Sequence, residues 1–298
     1  MTTSAVSAPT FDAFVAVDWS GASKVYKGIA VAKCEAGRSA PTLMASERGR
    51  LWTRAAFAEW LKQELNDGKR LLIGLDFAFG LPYEANHGYL GGQASQIDNI
   101  FALWNLIDRD SRAESDFGCT TFVNHPKYAS LFWRSGPRCS TWAERKRQTE
   151  LACAKATRTY PETVYKLLGS KQVGRASITG IRVLHHVRAH YGKQVAIWPF
   201  EKVKHSTIVE IYPTLFRRSS MGTVAKVRSV SDLNAGLAVL GSDPVARRGH
   251  QSLSDHETDA LLSAAGLRSI ARLPETWIPR NSTGSLARRE GWIFGVRF

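Results

Sequence analysis

Apolar residues along the chain form short unbroken runs and longer stretches with helical spacing. The clearest runs cover residues 13–18 and 71–76, and each predicts a buried strand. Two runs between them, residues 25–34 and 42–46, predict strands that follow the first one in antiparallel hairpins. Thr53 then precedes a segment of helical apolar spacing, where it can cap a helix. The order predicted so far is three strands, a helix and a fourth strand.

The pattern from about residue 83 to residue 204 is less regular and mostly helical. Helices are predicted over residues 97–107, 142–159 and 181–191, and a short strand over residues 195–198. Loops that contain Gly and Pro separate these segments, but no long linker isolates the region. We interpret residues 83–204 as an insertion built on the sheet.

The last part of the chain returns to strands and helices of ordinary length. Residues 207–211 predict a further strand, and Ser231 can cap a helix over residues 232–240. A capping box of the form S-x-x-E opens a predicted helix over residues 254–271. The final residues, 291–298, predict one more strand.

Together these elements predict a single α/β domain over residues 11–298. Its mixed sheet has three antiparallel strands followed by parallel strands, with helices on its faces. Residues 1–10 are small and polar, and we expect a flexible tail there rather than a signal peptide. No apolar run reaches the roughly 20 residues that a membrane helix needs, so we expect no membrane partner. The 4 cysteines form no C-x-x-C pair, which favours a reducing cytoplasm.

Positive charge is concentrated in the middle third of the chain. The net charge is +14, and residues 119–218 contribute +13 of it, with 18 Lys and Arg, 5 Glu and no Asp. Clustered cations mixed with aromatic residues suit a phosphate backbone and unstacked bases. We therefore expect a nucleic acid, either DNA or RNA, as the partner. The predicted contacts are Arg145, Lys146, Arg147, Lys171 and Arg175.

Two acidic residues end buried strand-like runs. Asp18 ends the first run and Asp76 ends the later one, and a turn follows each of them. Burying a carboxylate without a partner is costly, so such groups are usually paired or bound to a metal. A central sheet that brings both acids to one place is typical of an enzyme.

The helix predicted over residues 254–271 carries further ionisable side chains near its N-terminus. Asp259 lies three residues after His256 and four after Asp255, so the three share one side of the helix. Small residues after Asp259 let the helix lie close to the sheet, which presses this carboxylate toward it. Helix capping is the alternative role of Asp255 and of Glu257. His256 can bind a metal, transfer a proton or pair with a neighbouring carboxylate.

Six segments, found in order along the chain, carry a resemblance to a known family. They are VDWSGAS (17–23), GLDFAFGLP (74–82), QVGRASITG (172–180), IWPFE (197–201), VEIYPTLF (209–216) and HETDALLSA (256–264). In combination they resemble the prokaryotic family called domain of unknown function 429, from about residue 14 to residue 298. Members of that family are predicted to be ribonuclease H-like nucleases.

The resemblance implies a ribonuclease H-like fold and a two-metal site. In that fold, acids on the first and fourth strands meet an acid on a late helix and hold two divalent ions. It therefore implies that Asp18, Asp76 and Asp259 bind Mg²⁺ or Mn²⁺ and hydrolyse a phosphodiester bond. Asp255 and Glu210 are further candidate metal ligands, and Glu210 is equally suited to pairing with an arginine.

The segment from His256 to Asp259 is also similar to the helix motif of some Holliday-junction resolvases. That similarity implies that His256 assists the attacking water or the leaving group. Those resolvases carry Glu on the fourth strand, where this chain has the shorter Asp76, so a resolvase assignment does not follow.

Two other functions stay open at the level of sequence. Residues 18–24 (DWSGASK) look like the first phosphate loop of actin-like ATPases and sugar kinases. No second loop of this kind follows, and 298 residues is short for the two domains that such proteins need. A nucleic-acid-binding protein without catalytic activity would also use the basic middle region.

Overall fold

The structure is a computed structural model that describes residues 7–22, 28–46, 51–136, 142–169, 173–246, 253–279 and 284–296. The strands are β1 (Ala13–Asp18), β2 (Ala30–Glu35), β3 (Thr42–Leu43), β4 (Leu71–Leu75), β5 (Tyr83–Glu84), β6 (Gly88–Tyr89), β7 (Val195–Ile197) and β8 (Ser206–Glu210). The α-helices are α1 (Arg54–Asn66), α2 (Ile100–Ser111), α3 (Thr120–Asn124), α4 (Gln148–Thr157), α5 (Val173–Tyr191), α6 (Pro213–Met221), α7 (Val230–Val239), α8 (Asp255–Ala271) and α9 (Gly284–Glu290).

Six of these strands form one mixed sheet in the order β3-β2-β1-β4-β8-β7. The pairs β1–β2 and β2–β3 are antiparallel, whereas β1–β4, β4–β8 and β7–β8 are parallel. The short strands β5 and β6 pair with each other in a separate hairpin. The prediction of an α/β protein, with antiparallel strands first and parallel strands after them, is confirmed.

Side chains of the sheet alternate between two hydrophobic cores. In β1, Val15 and Val17 belong to one core, while Phe14 and Ala16 belong to the other. Residues of α1, α2 and α5 complete the first core, and residues of α6, α7 and α8 complete the second. The sheet is thus the middle layer of three. We call the side of Val15 and Val17 the α5 face and the side of Phe14 and Ala16 the α8 face.

A glycine in β4 lets α8 lie close to the sheet. A Cβ added to Gly74 would stand 2.6 Å from side-chain atoms of both Leu267 in α8 and Ile211. Within α8, a Cβ on Gly266 would come within 2.3 Å of the ring of Phe216 in α6. Only glycine, which has no Cβ, allows the neighbouring side chains to come this close to the backbone. The small residues of α8 therefore have the packing role that the sequence predicts.

Several of the predicted helices have different beginnings in the structure. Helix α2 begins at Ile100 instead of residue 97, and α4 begins at Gln148 instead of residue 142. Helix α5 begins at Val173 instead of residue 181, because the hydroxyls of Ser177 and Thr179 bond to carbonyls one turn earlier and leave the helix intact. Helix α7 is capped by Ser229, whose hydroxyl accepts from the backbone amide three residues later. The prediction of Ser231 as the cap is therefore wrong, since it lies inside the first turn.

The ends of two predicted strands also differ. No strand forms in the described part of residues 291–298, where Ile293 makes a single isolated bridge to Glu210. The predicted second strand starts in residues 25–27, which lie outside the described residues, and β2 itself begins at Ala30. Thr53 caps α1 as predicted, and Ser254 and Glu257 form the predicted capping box of α8.

A buried ion cluster joins the start of α4 to the end of β8. Arg147 donates from Nη1 and Nη2 to the two carboxylate oxygens of Glu210 at 2.8 and 2.6 Å, and from Nε to Glu150 at 2.8 Å. Nη1 also donates to the backbone carbonyl of Glu290 at 3.0 Å, which ties in the C-terminal segment. Burial raises the pKa of Glu150, although Arg147 opposes the rise. We call Arg147, Glu150 and Glu210 the Arg147 cluster.

Replacing Arg147 tests how much this cluster stabilises the fold. Arg147→Met should lower the free energy of unfolding by about 3–5 kcal/mol, because it leaves two buried carboxylates without a cation. Arg145→Met is the matched control, since Arg145 pairs with Glu84 where the two side chains are 31% and 38% exposed. Its loss should cost less than about 1 kcal/mol. Urea denaturation measures both values, and equal costs would contradict the role assigned to Arg147.

Candidate active site

Asp18 and Asp76 lie side by side at the carboxyl ends of neighbouring parallel strands. Val17 of β1 is in register with Leu75 of β4, and the Asp76 amide donates to the Val17 carbonyl at 3.0 Å. Alternation puts Asp18 on the α8 face and puts Asp76 on the same face as Gly74, which contacts α8. The sheet therefore brings together the two acids that the sequence singles out, and both face α8.

His256 in the first turn of α8 is hydrogen-bonded to Asp18. Its Nδ1 lies 2.9 Å from Asp18 Oδ1, and an ionised Asp18 makes Nδ1 the donor and leaves Nε2 to exchange protons. This hydrogen bond raises the pKa of His256. Burial raises the pKa of Asp18, although His256 opposes the rise. A Cβ on Gly28 would lie 3.2 Å from the imidazole, so the glycine makes room for the ring.

Asp259 lies one turn further along α8, where two cations hold it. Arg217 of α6 donates from Nη1 to its Oδ1, and Lys226, between α6 and α7, donates to its Oδ2. Asp259 is only 2% exposed and Arg217 only 5%, so their ion pair is buried, whereas Lys226 is 38% exposed and approaches Asp259 from the solvent side. Arg217 is fixed further by a 2.7 Å hydrogen bond to the Thr214 hydroxyl. Asp259 is thus neutralised by Arg217 and Lys226 where α8 packs on the ends of β1 and β4.

Asp76 is the least compensated of the three acids. Among the described residues, none donates a hydrogen bond to its carboxylate or forms an ion pair with it. Burial and the charges of Asp18 and Asp259 raise the pKa of Asp76 well above its usual range, and Lys226 opposes the rise. Lys226 also lowers the pKa of Asp18. One ammonium group therefore acts on all three carboxylates. We call Asp18, Asp76 and Asp259 the acidic cluster.

The acidic cluster borders a cleft of about 900 Å³, which is within the size range of ligand sites. Asp76, His256, Arg217 and Lys226 line this cleft, whereas the other two acids do not line it themselves. The remaining walls come from the loop after β1, the segment after α4, the first turn of α5 and the end of β8. Glu150, Glu162, Glu210, Arg147 and Arg158 line the cleft as well, so its wall carries both acidic and basic side chains around the imidazole.

The acidic cluster suits a divalent metal in chemistry and in charge. Carboxylate oxygens are the hard ligands that Mg²⁺ and Mn²⁺ prefer, and a cation would relieve the repulsion that raises the pKa of Asp76. Within the described residues, no group of three or more His, Cys, Asp and Glu side chains is arranged to hold one ion. Asp259 is instead engaged by two cations. Lys226 is 38% exposed and Arg217 only 5%, so Lys226 is the partner that Asp259 can release.

The two secondary metal candidates are each paired with an arginine. Glu210 follows Val209, which faces α8, so alternation turns Glu210 to the α5 face, where both its oxygens bind Arg147. Of the two roles open at the level of sequence, pairing with an arginine is the one observed. Asp255 lies 3.6 Å from the exposed Arg228 and does not line the cleft. The metal role predicted for these two residues therefore has no support from their placement.

The five cations predicted to contact nucleic acid have different surroundings. Arg147 borders the cleft but is buried, and its donors are taken up by Glu150 and Glu210. Arg145 and Lys146 each lie beside a glutamate. Arg175 lines a second cavity of about 370 Å³ beside the loop after β1, and no ion pair to another described residue holds it. Lys171 lies outside the described residues.

Comparison with known proteins does not assign the chain. No protein-family model matches it, and neither a curated protein nor a solved structure matches it. Among the described helices, none is both long enough and apolar enough to cross a membrane. Cys34, Cys119 and Cys153 are free and buried, and Cys139 lies outside the described residues. Function therefore has to be inferred from the site itself.

Sequence patterns did not single out Arg217 or Lys226. Arg217 does leave a signal, because the buried positions of α6 are Pro213, Phe216, Arg217 and Ser220, which is the spacing of one helix face. An arginine on a buried face requires a carboxylate partner. Lys226 lies in a segment between two helices with no periodic pattern, so its neighbours are set by the tertiary fold alone.

Replacing Asp76 tests the repulsion within the acidic cluster. Asp76→Asn should raise the free energy of unfolding by roughly 0.5–2 kcal/mol in EDTA near neutral pH, because it removes a desolvated and repelled charge. The pKa of Asp76 is higher in the folded chain than the usual 3.8. Its ionisation therefore lowers the free energy of unfolding at pH values above about 4 and has no effect at lower pH, where the carboxyl is protonated in both states. The gain should therefore fade as the pH falls toward about 4. Urea unfolding across this pH range measures the difference.

Asp12→Asn is a control with the opposite sign. Hydrogen bonds from Arg70 lower the pKa of Asp12 to about 2, so this exposed carboxylate stabilises the fold once it is ionised. Its removal should therefore destabilise the protein at neutral pH and have no effect at strongly acidic pH. A loss of stability in Asp76→Asn at neutral pH would contradict the repulsion described for the acidic cluster.

Proposed function

We propose that the protein is a metal-dependent nuclease that hydrolyses phosphodiester bonds of DNA or RNA. The observation that carries this proposal is the convergence of Asp18, Asp76 and Asp259 at one edge of a large cleft, with His256 bonded to the first of them. Clustered carboxylates lower the stability of the folded protein, and they are typical of sites that bind a cation or catalyse a reaction. The resemblance of six segments to the family called domain of unknown function 429 agrees with it.

The arrangement of the sheet supports a ribonuclease H-like fold for this nuclease. Three antiparallel strands precede β4 and β8, which run parallel to β1, and β1 lies in the middle of the sheet. The acids stand at the ends of β1 and β4 and on α8, which packs across them. These are the positions that the resemblance implies for the catalytic acids.

Each residue of the site has a chemical role under this proposal. Asp18, Asp76 and Asp259 would hold Mg²⁺ or Mn²⁺, which supplies an activated water and stabilises charge on the phosphate. His256, oriented through Nδ1 by Asp18, offers Nε2 to accept or donate a proton at the cleft. Lys226 balances the acidic cluster before substrate binds, and its ammonium can then turn to a phosphate oxygen.

Loss of single acids tests the proposed activity. Asp18→Asn and Asp259→Asn should each lower Mg²⁺- or Mn²⁺-dependent cleavage by more than about 100-fold, because each removes a candidate ligand oxygen. Gel analysis of labelled single-stranded, duplex and branched DNA and RNA measures cleavage, and EDTA gives the blank. Asp255→Asn is the matched control on the same helix, since its carboxylate faces Arg228 outside the cleft. It should cleave like the wild type.

The outcomes of this assay separate nuclease activity from the other two functions. Full cleavage by either Asp18→Asn or Asp259→Asn would rule out the proposed site. Nucleoside triphosphate turnover would indicate a kinase or ATPase, and binding without metal-dependent cleavage would indicate a non-catalytic protein. The loop after β1 gives the kinase no particular support, because Gly21 packs against α5, where a Cβ would lie 2.3 Å from the Ala176 amide nitrogen.

A further inference from the structure

Tyr160 is an exposed aromatic residue at the edge of the cleft that the proposed mechanism does not use. Its side chain is among the most exposed large hydrophobic groups of the described residues, at 62%, and it lines the same cleft as Asp76 and His256. Single exposed apolar residues are common and need no explanation. A ring at the edge of a phosphodiester-cleaving site is a different case, because bases flank every scissile phosphate.

One face of the Tyr160 ring is already covered by a cation. The ammonium of Lys146 lies 3.4 Å from the ring centroid, and this lysine is itself only 9% exposed. The Tyr160 hydroxyl reaches Glu144 at 3.5 Å. The ring is therefore covered on one face by Lys146 and held at its hydroxyl by Glu144, and it is 62% exposed overall.

The backbone on both sides of Tyr160 is also restrained. Arg158 ends α4 in the left-handed conformation, with φ of 53°, which turns the chain toward the cleft. The Thr159 hydroxyl is bonded to that of Thr157 at 2.6 Å. Pro161 follows Tyr160 and favours an extended backbone at the tyrosine. A ring held in this way loses little conformational entropy when a ligand stacks on it.

A second cation lines the same cleft as the ring. Arg158 is exposed, lines the cleft and forms no ion pair with another described residue. The acids nearest in sequence, Glu150 and Glu162, are engaged with Arg147 and Lys166. A stacking surface and an unpaired guanidinium in one cleft suit a nucleic-acid strand, with a base on the ring and a phosphate on the arginine.

Resting on the nuclease function proposed above, we infer that Tyr160 is a stacking platform for an unpaired base and that the substrate is single-stranded or locally unpaired. Bases inside a duplex are stacked on one another and cannot offer a face to a side chain. A single strand can place one base on Tyr160 while its backbone follows the cleft to the acidic cluster. Stacking of this kind favours a single strand over a duplex and discriminates little between base sequences.

Binding without metal tests this inference separately from cleavage. Fluorescence anisotropy in EDTA follows a labelled single strand of about 12 nucleotides, the matching duplex, and a strand of the same length whose bases are replaced by abasic sites. Tyr160→Ala should weaken binding of the single strand by about 10-fold, because one base loses its stacking partner. Binding of the duplex and of the abasic strand should change little.

Two controls separate stacking from structural damage. Tyr160→Phe keeps the ring and should bind the single strand like the wild type. Ile278→Ala removes a similarly exposed side chain, at 54%, that does not line the cleft, and it should also bind like the wild type. Thermal unfolding checks that each variant is folded.

Several results would overturn the inference. These are an unchanged affinity in Tyr160→Ala, an equal loss in Tyr160→Phe, an equal loss for the duplex or the abasic strand, and no measurable single-strand binding by the wild type. Because no metal is present, these results do not depend on cleavage. The nuclease function fails instead when the Asp18 and Asp259 variants keep metal-dependent activity, so the two failures are distinguishable.

Discussion

Repulsion among three carboxylates, two of them buried and that of Asp76 partly exposed at the cleft, is the constraint on which the rest of the site depends. The pairing of β1 with β4 and the close approach of α8 bring Asp18, Asp76 and Asp259 near enough that the charges of the other two raise the pKa of Asp76. His256 offsets the first, and Arg217 and Lys226 offset the third, but Asp76 keeps a raised pKa. Folding therefore carries a local electrostatic cost at the cleft, which is the usual mark of a site built to bind a cation or perform chemistry.

The same sheet edge shows how alternation decides between a structural acid and a chemical one. Asp76 and Glu210 both stand at the ends of neighbouring parallel strands, β4 and β8, but their side chains emerge on opposite faces. On the α5 face Glu210 is fully engaged by Arg147 in a closed ion cluster. On the α8 face Asp76 has no such partner among the described residues. Two acids in similar sequence contexts thus have different roles, because one is paired with an arginine and the other is open to a ligand.

The sequence predicts local secondary structure well, but it does not predict which side chains distant in sequence form ion pairs. The strands at Asp18 and Asp76 and the capped start of α8 are predictable, because apolar runs and capping residues act over a few positions. The partners of Asp259 lie 42 and 33 residues away in sequence, and which cations reach it is set by the packing of α6 against α8. Charge clustering along the chain also overstates the basic surface, since Arg147 and Arg182 are buried in ion pairs.

A calorimetric titration of the metal-free protein with Mn²⁺ tests the central claim most directly. The account predicts that the wild type binds with a dissociation constant below about 1 mM, that Asp18→Asn, Asp76→Asn and Asp259→Asn each weaken binding at least about 10-fold, and that Lys226→Met strengthens it. Strengthening is expected because Lys226 competes for Asp259. Absence of Mn²⁺ binding at millimolar concentration, or binding that none of the three aspartate substitutions weakens, would contradict a shared cation site at these strand ends.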